Sequence, residues 1–489
     1  MDSKHRIMSI LLLLAMLAGI WYAGTRGSIA DNGFMSGFQK DTIYIWYTDE
    51  TLTDYINSAA LAFYEDYDVR VVPVLQSGLE YVQALNAASV SGNEMPDLYL
   101  TGSDSLERLI MAGLASQVED ANGILDDFYF PQTALDAVTY RGEYYAYPFY
   151  YETSFLLYNK TYLTQIADGA LREEIISGGE AGQDGDADEG MDDGEDMPME
   201  QGIPEGYDEA SWDAAVSRKM YDLIPESIED ILDIADSYNA PEQVENIFLW
   251  DVTDILYNYF FAGAYMNVGG PCGDDASIIE IYNEDTIACM TVYQELHQFF
   301  SIESKESSYE EVLQEFLDGK TIFTIATIDA ISSLEEAKEE GEFPFEYGVA
   351  LLPSIDGGHA ARGLSVTNVI AVNGYSEQKE MANIFARYLV YENAGTLYDR
   401  TNKMQATYPL EDFVTDIRDE IVVIYENSTS LPKILEISNF WIQLELAYTK
   451  IWDGENVNDV LRQLSEQMKT QIAGEGVVEE VIPSAAPEL

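Results

Sequence analysis

Glu152 is the only charged residue between Tyr144 and Asn159, a run that reads YPFYYETSFLLYN from Tyr147 onward. A carboxylate held between aromatic faces can accept hydrogen bonds from a polyhydroxylated ligand while the rings cover that ligand's apolar faces. The same pattern fits a buried strand whose acid is satisfied by backbone donors. Further acids stand in polar loops: Asp49 and Glu50 after TIYIWY, Glu80 ahead of an apolar stretch, and Asp104 in the loop after DLYL. Paired carboxylates could in principle hydrolyse a glycoside, with Glu152 and either Asp104 or Asp329 as the pair. In a chain with 88 acidic residues such pairs are common by number alone. No G-x-S-x-G occurs, and His297 and His359 lack recognisable partners.

Two cysteines, Cys272 and Cys289, and three histidines are too few for a Cys/His metal centre, so neither metal nor cofactor is expected. Whether the cysteines are bonded stays open, with free thiols the plainer case. Against the 88 acids stand 24 basic residues, a formal charge of −64. Such a field opposes nucleic acid and anionic membrane surfaces as partners and favours solubility outside the cell.

The elements that must position these residues follow from periodicity. Thr42–Tyr47, Val69–Leu75 and Asp97–Leu100 read as strands alternating with helices over Leu52–Tyr67 and Leu79–Ser91, the α/β pattern of a parallel sheet with helices on its faces. Ligands of such sheets bind outside the carboxyl ends of the strands, where Asp49, Glu50, Glu80 and Asp104 lie. Pro148 keeps the aromatic run extended, so it reads as a strand leaving one lobe and entering another. Later strands are expected at Asn246–Trp250, Thr321–Ala326, Tyr347–Leu352 and Leu364–Val372, with a closing helix pair over Pro432–Asp453 and Val457–Ile472.

Three stretches fall outside this pattern. Ile7–Gly24 is an apolar run of eighteen residues behind Lys4 and Arg6, so residues 1–30 read as a signal peptide or a membrane anchor, retention being favoured by Trp21 and Tyr22 at its outer end. No cysteine lies near it to carry lipid, and cleavage near Ala30 is the alternative. Residues 165–210 hold 16 acids against one base and are expected to be disordered. Asp184, Asp186, Asp188 and Glu195 there match four calcium-loop positions, but Glu189 stands where glycine is needed. Residues 476–489 read as a tail.

Taken in order, TIYIWYTDE, SVSGNEMPDLYL, TYRGEYYAYPFYYETSFLLYNK, FLDGKTIFTIATIDA, EYGVALLPSIDGG and PKILEISNFWIQLELAYTKIWDGENVNDVLRQL resemble the extracellular solute-binding proteins of ABC importers, in the sugar-binding group that includes maltodextrin-binding proteins. The resemblance spans about Thr42 to Gly474, apart from the acidic insertion. It implies a two-lobe, periplasmic-binding-protein-like α/β fold closing on a hinge of crossing strands, with lobe 1 formed by residues 41–148 and 354–407 and lobe 2 by 149–353 and 408–475.

It also implies a monomeric, non-enzymatic receptor that takes a sugar outside the membrane and passes it to an ABC permease. Carried over by position, the family's pocket carboxylate falls on Glu152, its acid after the third strand on Asp104 and a stacking tryptophan on Trp441. Two further stacking positions hold Thr101 and Asp329, which argues against a long maltodextrin. Tyr47, Tyr151 and Trp250 are candidate replacement platforms, and Trp46 reads as core. The acidity keeps a polyamine or peptide ligand on the same fold as an alternative.

Overall fold

The computed structural model describes residues 42–483 except 79, 92–94, 120–121, 181–201, 301, 303–307, 357 and 410–416. Residues 1–41, and with them the apolar N-terminal run, lie outside the described residues, as do the four acids of the calcium-loop pattern. Among the described residues no helix is long and apolar enough to cross a membrane.

Two sheets organise the chain. The first has seven strands: Arg70–Leu75 at one edge, then Thr42–Tyr47, Leu98–Gly102, Leu364–Val372, Tyr147–Thr153 and Met404–Gln405, with Thr429–Ser430 also pairing with Leu364–Val372. The first three run parallel, as the alternation of strand and helix predicts, but Leu364–Val372 is antiparallel to both Leu98–Gly102 and Tyr147–Thr153, so the sheet is mixed. Residues on successive positions point to opposite faces. Ile43, Ile45 and Tyr47 therefore pack with Tyr55, Ile56 and Phe63 of the helix Thr53–Tyr67, whereas Trp46 packs with Tyr81, Leu85 and Leu109 on the other face. Pro73 sits in an edge strand and Pro148 at a register shift, two places where a missing N–H breaks no ladder.

The second sheet has four strands in the order Tyr347–Ala350, Phe155–Asn159, Thr321–Ala326 and Asn246–Phe248. Its largest core surrounds Trp250 with Phe248, Phe261, Tyr293 and Trp452, drawn from helices that include Glu284–Phe300 and Phe440–Trp452.

The chain changes sheet at Ser154, between Tyr147–Thr153 and Phe155–Asn159, rather than at residue 149. The reason is the ladder of Tyr147–Thr153 with Leu364–Val372, which holds Glu152 opposite Val366 in the first sheet. Thr429–Ser430 returns to that sheet as well, inside a stretch the sequence assigns to lobe 2. Residues 165–180 also differ from expectation. They belong to a helix over Lys160–Glu180, because Tyr162, Leu163, Ile166, Ala167 and Leu171 supply an apolar stripe that packs in the second core. Helix resumes at Glu209 behind an Asp208–Ser211 capping box. The acidic centre, 181–201, lies outside the described residues.

The closing helix pair begins at Phe440, not Pro432; Pro432–Asn439 is a connecting segment with one 3-10 turn at Leu435–Ile437. Beyond the final helix, the nominal tail is tied back. Glu479 accepts from Ser465 and Lys469 at 2.5 Å each, and the Ile482 backbone is held by Asn458 and Tyr282. Cys272 and Cys289 are unbonded.

Candidate functional site

The carboxyl ends of the first sheet's parallel strands carry the acids the sequence singles out. Asp49 follows Thr42–Tyr47 and caps the short turn Glu50–Leu52, accepting from the Thr51 N–H at 3.0 Å and its hydroxyl at 2.6 Å. Glu152, on the crossing strand, is reached by the same cation. Lys403 Nζ lies 3.1 Å from Asp49 Oδ2 and 3.6 Å from Glu152 Oε1, and 5.2 Å above the Tyr150 ring.

Local chain geometry aims that lysine. Leu397–Thr401 is a helix ended by Asn402 in the left-handed region, φ 57°, where asparagine is tolerated. The Lys403 N–H then donates to Thr401 Oγ1, and Met404–Gln405 pairs with Tyr151 and Tyr150. The ammonium is thus delivered beside Glu152 by backbone constraints on both sides.

Electrostatics separate the two acids. Burial raises the Asp49 carboxyl, but hydrogen bonds from Thr51 and the charge of Lys403 outweigh it and leave its pKa below the ordinary value. Burial pushes Glu152 up to about 7; Lys403 opposes the rise, while Asp329 and Asp49 add to it. Asp329 opens the helix Ile328–Glu340 of the second lobe and bonds the hydroxyls of Thr327 and Tyr309. Tyr309 in turn stacks on Tyr257 with ring centres 4.6 Å apart.

Of this cluster Asp49 lines a cavity, whereas Glu152, Lys403 and Asp329 line none of the three described next. The first, about 250 Å³, is lined by Thr48, Asp49, Thr101, Tyr150 and Asn368 among others. It shares Ser105 with a second of about 260 Å³ that brings Asp104, Arg108 and Lys433 together with Trp441. Phe440 and Trp441 also border a third, about 370 Å³, between Gln132–Asp136 of the first lobe and Tyr259–Pro271 of the second.

Burial of its carboxyl raises the pKa of Asp104, and Arg108 and Lys433 partly offset the rise. Lys433 is itself buried, 1% exposed, and burial pushes it down to about 8. Its ammonium is bonded to the Asp136 and Cys272 carbonyls, one from each lobe.

Lys403 thus bridges Asp49 and Glu152, Asp329 acts on Glu152 from the second lobe, and Asp104 and Trp441 line a neighbouring cavity. Glu50 and Glu80 are exposed at the rim and line none of the three cavities. All three expected platforms are corrected. Trp250 is fully buried, its N–H bonded to Asn258 at 2.9 Å and its ring packed on Phe248 and Trp452. Tyr151 is 1% exposed and stacks at 3.7 Å on Tyr425, so neither offers a free face to a solute. Tyr47 is buried as well, with its hydroxyl on Thr53.

Sequence reasoning missed Lys403, Lys433, Arg108 and the Tyr257–Tyr309 stack. The available signal was scarcity: with 24 cations among 88 acids, each lysine beside a crossing segment is informative. Among the described residues no group of three or more His, Cys, Asp or Glu side chains is placed to hold a metal ion.

The chain is similar to known proteins over most of its length. A model of bacterial extracellular solute-binding proteins matches residues 58–399. The maltooligosaccharide ABC transporter solute-binding lipoprotein of Streptococcus pneumoniae is 22% identical over 454 residues, covering 90% of this chain and 91% of that protein. The maltodextrin-binding protein MdxE of Bacillus subtilis is 20% identical over 439 residues, 86% and 89% of the two chains.

In solved structures the fold is similar to a cyclo/maltodextrin-binding protein complexed with maltotetraose, with TM-score 0.66 and 19% identity over 89% of this chain and 98% of that one. It is also similar to the maltose-binding protein MalE of Listeria monocytogenes in complex with maltose, with TM-score 0.65 and 18% identity over 90% and 99%. With the family model spanning most of the sequence and two sheets flanking a charged, tryptophan-bordered cleft, the chain belongs to the bacterial extracellular solute-binding proteins.

Proposed function

We propose that this protein captures a short neutral oligosaccharide of the maltooligosaccharide class outside the membrane and hands it unaltered to an ABC permease. The observation that carries the reading is the cleft itself. Carboxylates and a lysine stand ready to bond hydroxyls at one end, and Trp441 stands at the other to cover the CH face of a sugar ring. Relatives named for maltooligosaccharide and maltodextrin binding support the same class. Thr101 and Asp329, where two stacking tryptophans of the family would stand, favour a short ligand, because each lost ring removes a subsite's apolar contact.

The protein acts as a monomeric receptor, with no nucleic-acid partner. Retention at the membrane by the apolar run Ile7–Gly24 is favoured by Trp21 and Tyr22 at its outer end, with secretion after cleavage near Ala30 as the alternative. The Streptococcus pneumoniae relative, by contrast, is named as a lipoprotein.

Titration calorimetry with maltose, maltotriose, maltotetraose and longer chains tests the reading. Heat of binding with no product on chromatography is expected, with affinity no longer rising beyond short chains. Trp441→Ala and Glu152→Ala should each weaken binding at least tenfold, about 1.4 kcal/mol or more, with the fold intact. Unchanged affinity in both variants removes these residues from the site, and turnover of the oligosaccharide makes the protein a hydrolase instead.

A further inference from the structure

Around Glu152 the first and second lobes present three carboxylates, Asp49, Glu152 and Asp329, and one cation, Lys403. In a protein of charge −64 such a cleft would attract any small amine diffusing past it. Yet the place a solute's ammonium would take, within bonding reach of Asp49 and near Glu152 over the Tyr150 ring, is filled by the Lys403 ammonium.

From this geometry we infer that Lys403 sets the charge selectivity of the cleft: it is a built-in counter-ion that excludes cationic amines and leaves the carboxylates' remaining lone pairs to neutral hydroxyls. The inference rests on the proposed sugar-binding reading and adds to it the group that rejects the competing class.

Three features support it. The ammonium is tethered, so it competes with dissolved amines as an intramolecular partner at an effective concentration in roughly the millimolar range or above. Its backbone is fixed by the left-handed Asn402 and by the pairing of Met404 with Tyr151, so the root of the side chain stays beside the two carboxylates. Its side chain is 20% exposed and the two partners' 28% and 25%, so water screens the interaction only in part. Rejection of a rival solute by an occupied charge site is discrimination by repulsion and displacement, distinct from any contact made to the favoured solute.

The experiment measures wild type, Lys403→Met and Lys403→Gln by titration calorimetry at pH 8 against maltotriose, putrescine and spermidine, with circular dichroism and thermal unfolding to establish folding. Wild type should bind maltotriose and give no heat with either amine. Lys403→Met keeps the apolar stem and removes the charge. It should bind spermidine at least tenfold more tightly than wild type does and lose at least threefold in maltotriose affinity.

Lys403→Gln serves if the first variant does not fold, with the same direction expected. Failure of both variants to gain amine affinity overturns the inference, including the case in which sugar affinity falls, because Lys403 would then be a sugar contact and no gate. Failure of wild type to bind any neutral sugar overturns the proposed function instead. The amine gain in the variants still decides the role of Lys403.

Discussion

Two aromatic regions of this protein look alike in sequence and behave oppositely in the fold. Around Trp250, rings from Phe248, Phe261, Phe300, Tyr293 and Trp452 close on one another, and the few polar atoms are paired internally: Trp250 with Asn258, Tyr293 with the Val252 carbonyl, Trp452 with the Ile302 carbonyl. Around Tyr150, by contrast, rings share their space with Asp49, Glu152 and Lys403. The first region is buried and gains stability from packing. The second retains charged groups whose bonding capacity is only partly used, the condition for binding a polar solute.

The comparison can be broken at either end. Trp250→Ala should have the largest effect on the fold. It removes a fully buried indole and strands the Asn258 acceptor, at a cost of about 3–5 kcal/mol that denaturant unfolding would read. A loss below about 1 kcal/mol would mean that the second core is not the buried, close-packed body described above.

Glu152→Gln should have a smaller, pH-dependent effect of opposite sign. Burial raises the folded-state pKa of Glu152 above its unfolded value. Its contribution to stability is therefore complete below the unfolded pKa near 4.5 and is lost as pH climbs through about 7. The glutamine variant should match wild type at pH 4 and exceed it at pH 8, by at most roughly 3 kcal/mol and by less to the extent that solvent screens this partly exposed group. Thermal unfolding at the two pH values reads the difference. A variant equally stable relative to wild type at both would show that Glu152 does not titrate between them.

Trp441→Ala should have the smallest effect on stability, under about 1 kcal/mol, since its side chain borders two cavities and is only partly buried. Its cost should appear in sugar affinity. A Trp441 variant that unfolds as readily as the Trp250 variant would place both tryptophans in one class and erase the contrast.

Much of the fold was legible because it rests on local pattern. Thr42–Tyr47, Thr321–Ala326 and Leu364–Val372 have the bounds that β-branched and aromatic runs suggest. Most of the helix Lys160–Glu180 is hidden in the composition, because the acids that continue beyond it mask the apolar stripe that packs in the second core. Pro432–Asn439 lies outside the closing helix pair that the sequence suggests from Pro432 onward. In the fold Lys433 bonds backbone carbonyls from both lobes, and the Leu435 N–H donates to Glu107 at 2.7 Å, partnerships that hold the segment in another course.

Residue type and short-range spacing are enough to specify the strand and helix alternation, the acids at the strand ends and the single carboxylate in the crossing strand. Only the tertiary structure decided that Trp250 and Tyr151 are core while Trp441 borders cavities, and that Lys403, some 250 residues from Glu152, supplies its counter-charge. Burial and ion pairing across the chain depend on which segments the sheets bring side by side, and periodicity along one segment carries no record of its distant neighbours.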